Sequence, residues 1–174
     1  MAAKHWKDRQ KPTIEHIVTL FDQTELGAYV AGHLLIESVL VQLIELVMTG
    51  EDKFNPFDMS WPNKVALMRG RHLIGEKWPP FLLELNRARN HVAHHLGERV
   101  TFDTMFALAQ LAAAAGVEFS DDSVHADRAV SLTHYGIEGL IQEVFQNTAQ
   151  DLSLLMEKHG GTFCFSQNHF RART

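Results

Sequence analysis

Apolar residues recur every three or four positions along most of the chain, and no segment shows the strict alternation of a half-buried strand. This pattern predicts an all-α protein. Prolines and glycines mark where the predicted helices start and stop, because proline suits a first turn and glycine suits a C-terminal cap. The predicted helices cover about residues 13–24, 26–49, 60–75, 80–96, 102–115 and 130–158.

The predicted helix at 26–49 is apolar on nearly every side. A helix of this kind lies either at the centre of a bundle or in a membrane. His33, Glu37 and Glu45 interrupt the apolar run, and ionisable groups are costly in the middle of a bilayer. We therefore expect this helix to be buried inside a helical bundle, and we expect no membrane association.

The chain has the length and composition of one folded domain. Its 174 residues include 45% hydrophobic and 21% charged residues, and no linker divides them. We expect a single domain over residues 1–174, with an exposed loop at 116–127 and a flexible tail at 160–174. The lone cysteine, Cys164, and an N-terminus without a signal-like apolar segment favour a cytoplasmic location.

Charge is unevenly distributed along the chain. The net charge of -5 argues against binding nucleic acid over the whole surface, because such binding relies on many phosphate contacts from lysine and arginine. Residues 69–99 nevertheless carry a formal charge of +3. A local basic site on an acidic protein suits a phosphate-binding pocket, although a chance grouping of solvated arginines explains the charge equally well.

The predicted helix at 80–96 carries the run LNRARNHVAHH from Leu85 to His95, which places arginine, asparagine and histidine within about two turns. Four residues complete slightly more than one turn, so Asn90 and His94 share a face. Arg89 must lean back along the helix to reach His94. The apolar stripe of this helix leaves the polar cluster at the rim of the core; it comprises Phe81, Leu82, Leu85, Ala88, Val92 and Leu96.

These side chains suit RNA cleavage by transesterification. That reaction needs a base for the 2′-OH proton, a cation for the charge that grows on the phosphate, and an acid for the 5′-oxygen. Histidine serves as base or acid near neutral pH, and arginine offers a fixed cationic fork for phosphate. One copy of Arg89 and His94 would make a sparse site, whereas a two-fold dimer would supply two of each.

The pattern Arg89-Asn90-x-x-x-His94 follows a long apolar helix that carries the sequence from His33 to Glu37, and this arrangement resembles the HEPN-like helical domains with their Arg-x4–6-His motif. The resemblance covers roughly residues 26–115. It implies an up-and-down bundle of about five to six helices that is usually dimeric, and its catalytic members cut RNA without a metal. The leading interpretation is therefore a metal-independent endoribonuclease that acts at a composite dimer site.

By position, the resemblance implies catalytic roles for Arg89, Asn90 and His94, with Asn90 orienting the histidine. Four further residues are expected to contact the substrate: Arg87, His91, His95 and Glu37. We expect no metal and no cofactor. The expected partners are a second copy of the chain, RNA, and an antitoxin or other regulatory protein that restrains a toxin or defence enzyme.

Other interpretations remain open. The same motif is similar to a segment of the mannitol operon repressor family, which favours a non-catalytic HEPN-like module for regulation or protein interaction. Arg89 and Asn90 would then only tie helices together, and Glu37 would form a structural pair with His33. His91 and His95 have the spacing of two metal ligands, but no third ligand accompanies them. A small-ligand pocket between the helix at 26–49 and the motif helix is a further alternative.

Overall fold

The computed structural model describes residues 23–94 and 99–164, together with Thr13, Ile14 and Val18. Over these residues the protein is helical and contains no strand, so the predicted all-α bundle is confirmed. A short 3-10 turn covers Pro56–Asp58. The α-helices of the described residues are α1 (Thr24–Leu46), α2 (Trp61–Gly70), α3 (Trp78–His94), α4 (Phe102–Ala115), α5 (Ser123–Ala126), α6 (Arg128–His134) and α7 (Gly136–Lys158).

The two longest helices, α1 and α7, pack along each other, and α7 also packs against α4. Their close approach depends on Gly32, because a Cβ atom at this position would lie 2.3 Å from Cγ of Phe145. The Phe145 ring is fixed in turn by an edge contact with Tyr29, at 5.0 Å between ring centroids. The core of the bundle is therefore built on an α1–α7 contact that tolerates no side chain at Gly32.

The expectation that the helix at 26–49 is buried on all sides is wrong in part. One side of α1 is exposed and includes Gly27, Ala28, Ala31 and Leu34, and Leu34 is 56% exposed. The expectation failed there because a count of apolar residues does not distinguish small residues such as Gly27, Ala28 and Ala31 from large ones. Among the described helices, α1 alone is long and apolar enough to cross a membrane, a test that the core helix of a soluble bundle also passes.

Two helix ends differ from the prediction. The helix expected to end near 49 ends at Leu46, and the helix expected to run to 75 ends at Gly70. His72 adopts a positive φ of 57°, which an α-helix does not accommodate. Arg71 holds the following turn against the end of α1, because it donates a 2.9 Å hydrogen bond to the carbonyl of Val47 and pairs with Asp52.

The capping residues in the sequence predicted the positions of α3 and α4 well. α4 covers Phe102–Ala115 as expected; the Thr101 hydroxyl caps its start, and Gly116 closes it with a φ of 100°. The motif helix α3 begins at Trp78, two residues earlier than expected, so both Pro79 and Pro80 lie in its first turn. The expected end of this helix at 96 lies outside the described residues.

The expected long helix at 130–158 is wrong, because Tyr135 interrupts it and Gly136 follows with a φ of 59°. α6 and α7 therefore form separate helices, and α7 ends at Lys158 as expected. The loop at 116–127 is also more ordered than expected. It contains α5, and the side chains of Val117 and Val124 are buried in the core.

Most of the predicted first helix and of the predicted tail lies outside the described residues. Ile14 and Val18 are helical and exposed, and α1 begins at Thr24. The first residues of the expected tail contact the bundle: Gln42 donates to the Cys164 carbonyl at 2.9 Å and accepts from the Cys164 N–H at 3.0 Å. These two bonds place residues 160–164 along the C-terminal half of α1.

Candidate functional site

Two side chains anchor the motif helix α3 to its neighbours through hydrogen bonds to main-chain carbonyls. The Tyr29 hydroxyl of α1 donates to the Leu85 carbonyl at 2.8 Å, and the Trp61 indole of α2 donates to the Leu82 carbonyl at 2.8 Å. Burial, followed by the nearby charge of Glu84, raises the pKa of Tyr29 well above its usual value, so this hydroxyl remains a donor. α3 is therefore held from two sides.

Polar side chains meet where α1, α2 and α3 come together. We call this group the junction cluster; it consists of His33, Glu37, Lys64, Asn86 and Arg89. His33 and Lys64 are almost completely buried, with 4% and 1% of their surface exposed. Buried ionisable side chains are rare unless they have partners, so the contacts inside the cluster decide what the site can do.

Glu37 and Lys64 form an ion pair inside the junction cluster, with 2.5 Å between Lys64 Nζ and Glu37 Oε1. The Glu37 side chain is 34% exposed, so the pair lies at the edge of the core. Glu37 was expected to bind substrate, and this contact favours a structural role instead, although the ion-pair partner is Lys64 and not His33 as the structural alternative had it. Lys64 was missed, although it interrupts the apolar stripe Trp61, Val65 and Met68 of α2, and that irregularity was a usable signal.

His33 stacks on the Trp61 indole, with 4.1 Å between ring centroids and 27° between ring planes. Its Nε2 atom has no hydrogen-bond partner among the described residues. Burial lowers the pKa of His33 to about 4; Glu37 and Asn86 oppose this shift, while Arg89 and Lys64 contribute to it. The His33 ring is therefore neutral near pH 7 and does not repel the positive charges of Arg89 and Lys64.

Arg89 is half-buried, and its Nη1 atom donates to Oδ1 of Asn90 at 3.1 Å. No carboxylate of the described residues forms an ion pair with Arg89. By contrast, Arg69, Arg71 and Arg128 each pair with an acidic side chain. A guanidinium has five N–H donors, so Arg89 retains most of its capacity for an anion. The amide of Asn90 orients it without neutralising its charge.

The structure does not bring His94 to Arg89 within one chain. His94 is the last described residue of α3 and is exposed, and no contact among the described residues joins it to Arg89. His95 lies outside the described residues. A site that uses both Arg89 and His94 on one phosphate therefore needs a rearrangement of the helix end or a second copy of the chain.

The other two predicted contact residues, Arg87 and His91, are exposed on α3. Arg87 is 77% exposed and pairs with Glu84 on the same helix, at 2.7 Å from Nε to Oε2. This pairing lowers the pKa of Glu84. His91 is exposed and borders a cavity of about 40 Å³ that Tyr29 and Arg99 also line. The cavity lies between α1, α3 and α4 and has room for about one water molecule, which is too little for a small organic ligand.

A larger groove of about 540 Å³ lies between α1 and α7 and is lined by Ala28, Leu35, Ile141 and Phe145 among others. None of the predicted site residues that the structure describes borders it. Among the described residues, no group of three or more histidine, cysteine, aspartate or glutamate side chains is arranged to hold a metal ion. The candidate site therefore consists of the junction cluster and of the basic side chains of α3, which we call the basic rim of α3: Arg87, Arg89, His91 and His94.

Comparisons of the chain with protein-family models, with curated proteins and with solved structures find no match.

Proposed function

We propose that the protein is a metal-independent endoribonuclease of the HEPN type, acting at a site that two copies of the chain form together. The observation that carries this proposal is the state of Arg89. It is half-buried, oriented by Asn90 and not neutralised by a carboxylate of the described residues. An arginine that is held in place and not neutralised can stabilise the negative charge that builds up on a phosphate during cleavage.

In the proposed reaction, the 2′-oxygen attacks the neighbouring phosphorus atom and the bond to the 5′-oxygen breaks. One histidine takes the 2′-OH proton, and another histidine gives a proton to the leaving 5′-oxygen. Arg89 stabilises the phosphate charge in the transition state. The products carry a 2′,3′-cyclic phosphate and a free 5′-hydroxyl. His94 from each copy supplies the two histidines, and its exposed position on α3 leaves it open to a partner.

The second candidate function is a non-catalytic HEPN-like module for regulation or protein interaction, similar to the mannitol operon repressor family. A specific observation favours it, because Arg89 bonds to Asn90 on its own helix and no contact among the described residues joins it to His94. In this case the basic rim of α3 binds an acidic partner or an anion without chemistry.

We further propose a cytoplasmic location and a protein partner that restrains the enzyme, because an active ribonuclease endangers the cell that makes it. This part of the proposal predicts that cells tolerate His94→Ala better than the wild-type protein. Growth curves after induction of each version test it.

The test of the proposed activity compares wild type with His94→Ala on a mixed, end-labelled RNA pool in excess chelator. His159→Ala is the matched control, since His159 is also an exposed histidine directly after the end of a helix. Circular dichroism and sedimentation first establish that all three proteins fold and associate alike. The proposal requires cleavage by wild type and His159→Ala, with cyclic phosphate ends, and none by His94→Ala. Equal cleavage by all three, or by none, would instead support the non-catalytic module.

A further inference from the structure

The junction cluster contains one carboxylate among its basic groups, and that carboxylate belongs to Glu37. The geometry points to a positioning role for Lys64: it occupies the Glu37 carboxylate and thereby keeps the Arg89 guanidinium available for a phosphate. That Arg89 binds a phosphate rests on the proposed function. The competition between Lys64 and Arg89 for Glu37 does not depend on it and is measurable in the absence of RNA.

The first support for this role is the burial of Lys64. Lysine is almost never fully buried without a partner, because an unpaired buried ammonium group is costly. Lys64 is 1% exposed, and its Nζ atom lies 2.5 Å from Glu37 Oε1. The Glu37 side chain, in contrast, is 34% exposed. Lys64 therefore depends strongly on Glu37, whereas Glu37 is free to accept other cations if Lys64 is removed.

The second support is that Glu37 and Arg89 act on the same imidazole. On α1, His33 lies one turn before Glu37 and one turn after Tyr29, whose hydroxyl bonds to the Leu85 carbonyl. Arg89 lies one turn after Leu85 on α3, and the charges of both Glu37 and Arg89 act on the His33 ring. The ring is fixed against Trp61, and the Trp61 indole is in turn bonded to the motif helix. Arg89 and Glu37 thus both lie near one immobilised side chain, yet the two do not form an ion pair.

Arginine forms ion pairs readily, and the nearby chain shows this, because Arg71 and Arg87 both have carboxylate partners. Arg89 instead uses the neutral Asn90. An arginine that shares its junction with a partly exposed carboxylate but does not pair with it needs an explanation. The Lys64–Glu37 pair supplies one, since the carboxylate is already neutralised by a closer cation.

The inference is tested by the chemical reactivity of Arg89 in the full chain. Phenylglyoxal modifies the uncharged guanidine, so a carboxylate partner slows the reaction by covering the group and favouring its charged form. Labelling at Arg89 is quantified by mass spectrometry and divided by labelling at Arg128, which lies on α6 away from the cluster. The variants are Lys64→Met, Glu37→Gln and the double variant Lys64→Met/Glu37→Gln.

We expect Lys64→Met to lower the Arg89 to Arg128 labelling ratio about fivefold, which corresponds to an ion pair of about 1 kcal/mol. The double variant should return the ratio to the wild-type value, because no carboxylate is left to capture Arg89. Glu37→Gln alone should leave the ratio unchanged. If Lys64 only stabilised the fold, adding Glu37→Gln to Lys64→Met would not restore the labelling ratio.

Equal labelling ratios in wild type and Lys64→Met would overturn the inference, and so would a low ratio that persists in the double variant. Circular dichroism identifies any variant that does not fold. If Lys64→Met is among these, Lys64→Gln replaces it, because the glutamine amide still donates to Glu37 while the charge is gone. Failure of the proposed function appears separately, as the absence of His94-dependent RNA cleavage, and it leaves these ratios unaffected.

Discussion

Substitution of Gly32 tests the central contact of the fold. An alanine Cβ at this position would lie 2.3 Å from Cγ of Phe145 and 2.5 Å from its Cδ2, both well inside van der Waals distance. The ring has little room to move, because Phe145 is buried and contacts Tyr29 edge-on. Overpacking of a core costs about 1–3 kcal/mol, and alanine recovers up to about 1 kcal/mol through its higher helix propensity. We therefore expect Gly32→Ala to lower the free energy of unfolding by about 1–2 kcal/mol.

Gly27 provides the matched control on the same helix. It is exposed, and no atom lies within 4 Å of the Cβ that an alanine would add. Gly27→Ala should therefore raise the free energy of unfolding by about 0.5–1 kcal/mol. Urea denaturation followed by circular dichroism measures both variants against wild type. Equal stability of the two variants, or a more stable Gly32→Ala, would refute the close α1–α7 contact.

Two further predictions concern the site. Tyr29→Phe removes the hydrogen bond to the Leu85 carbonyl and should lower the free energy of unfolding by about 1 kcal/mol in urea denaturation, so an unchanged stability would show that this bond does not hold α3. The pKa of His33 is lowered to about 4 in the folded protein, so the unfolded chain binds its proton more readily. Its contribution to stability is complete above about pH 6.5 and is lost as the pH falls toward 4. The free energy of unfolding, measured from pH 7 to pH 4.5, should therefore fall more steeply for wild type than for His33→Phe, whose aromatic ring can stack on Trp61 but cannot bind a proton. Identical slopes would contradict a buried, neutral His33.

The helices that the sequence predicted best are those whose ends depend on local chemistry. Thr101 and Gly116 lie directly outside α4, and each terminates the helix through its own hydroxyl or its own backbone conformation. The break at Tyr135 was not predictable in this way. The three- and four-residue spacing continues across it, and a glycine such as Gly136 does not reveal from sequence whether its φ is positive.

The site was predicted only in part for a similar reason. Arg89 and Asn90 are neighbours in sequence, so their association on α3 follows from local geometry. Glu37 and Lys64 are 27 positions apart in the sequence and lie on two different helices, so only the packing of α1 against α2 creates their pairing. Periodicity marks Lys64 as an anomaly on an apolar stripe, but it does not identify the partner.

The most direct test of the central claim asks whether Arg89 and His94 from two copies act on one phosphate. Arg89→Ala and His94→Ala chains, carrying different affinity tags, are expressed together, and the mixed dimer is purified over both tags. The mixed dimer keeps one arginine and one histidine, whereas each homodimeric variant lacks one of the two groups entirely. Because the mixed dimer lacks one of the two histidines, we predict that it cleaves RNA in excess chelator about 10²–10⁴-fold more slowly than wild type, and that neither homodimer cleaves it detectably. An inactive mixed dimer beside an active wild type would contradict a shared site, and an inactive wild type would contradict the ribonuclease itself.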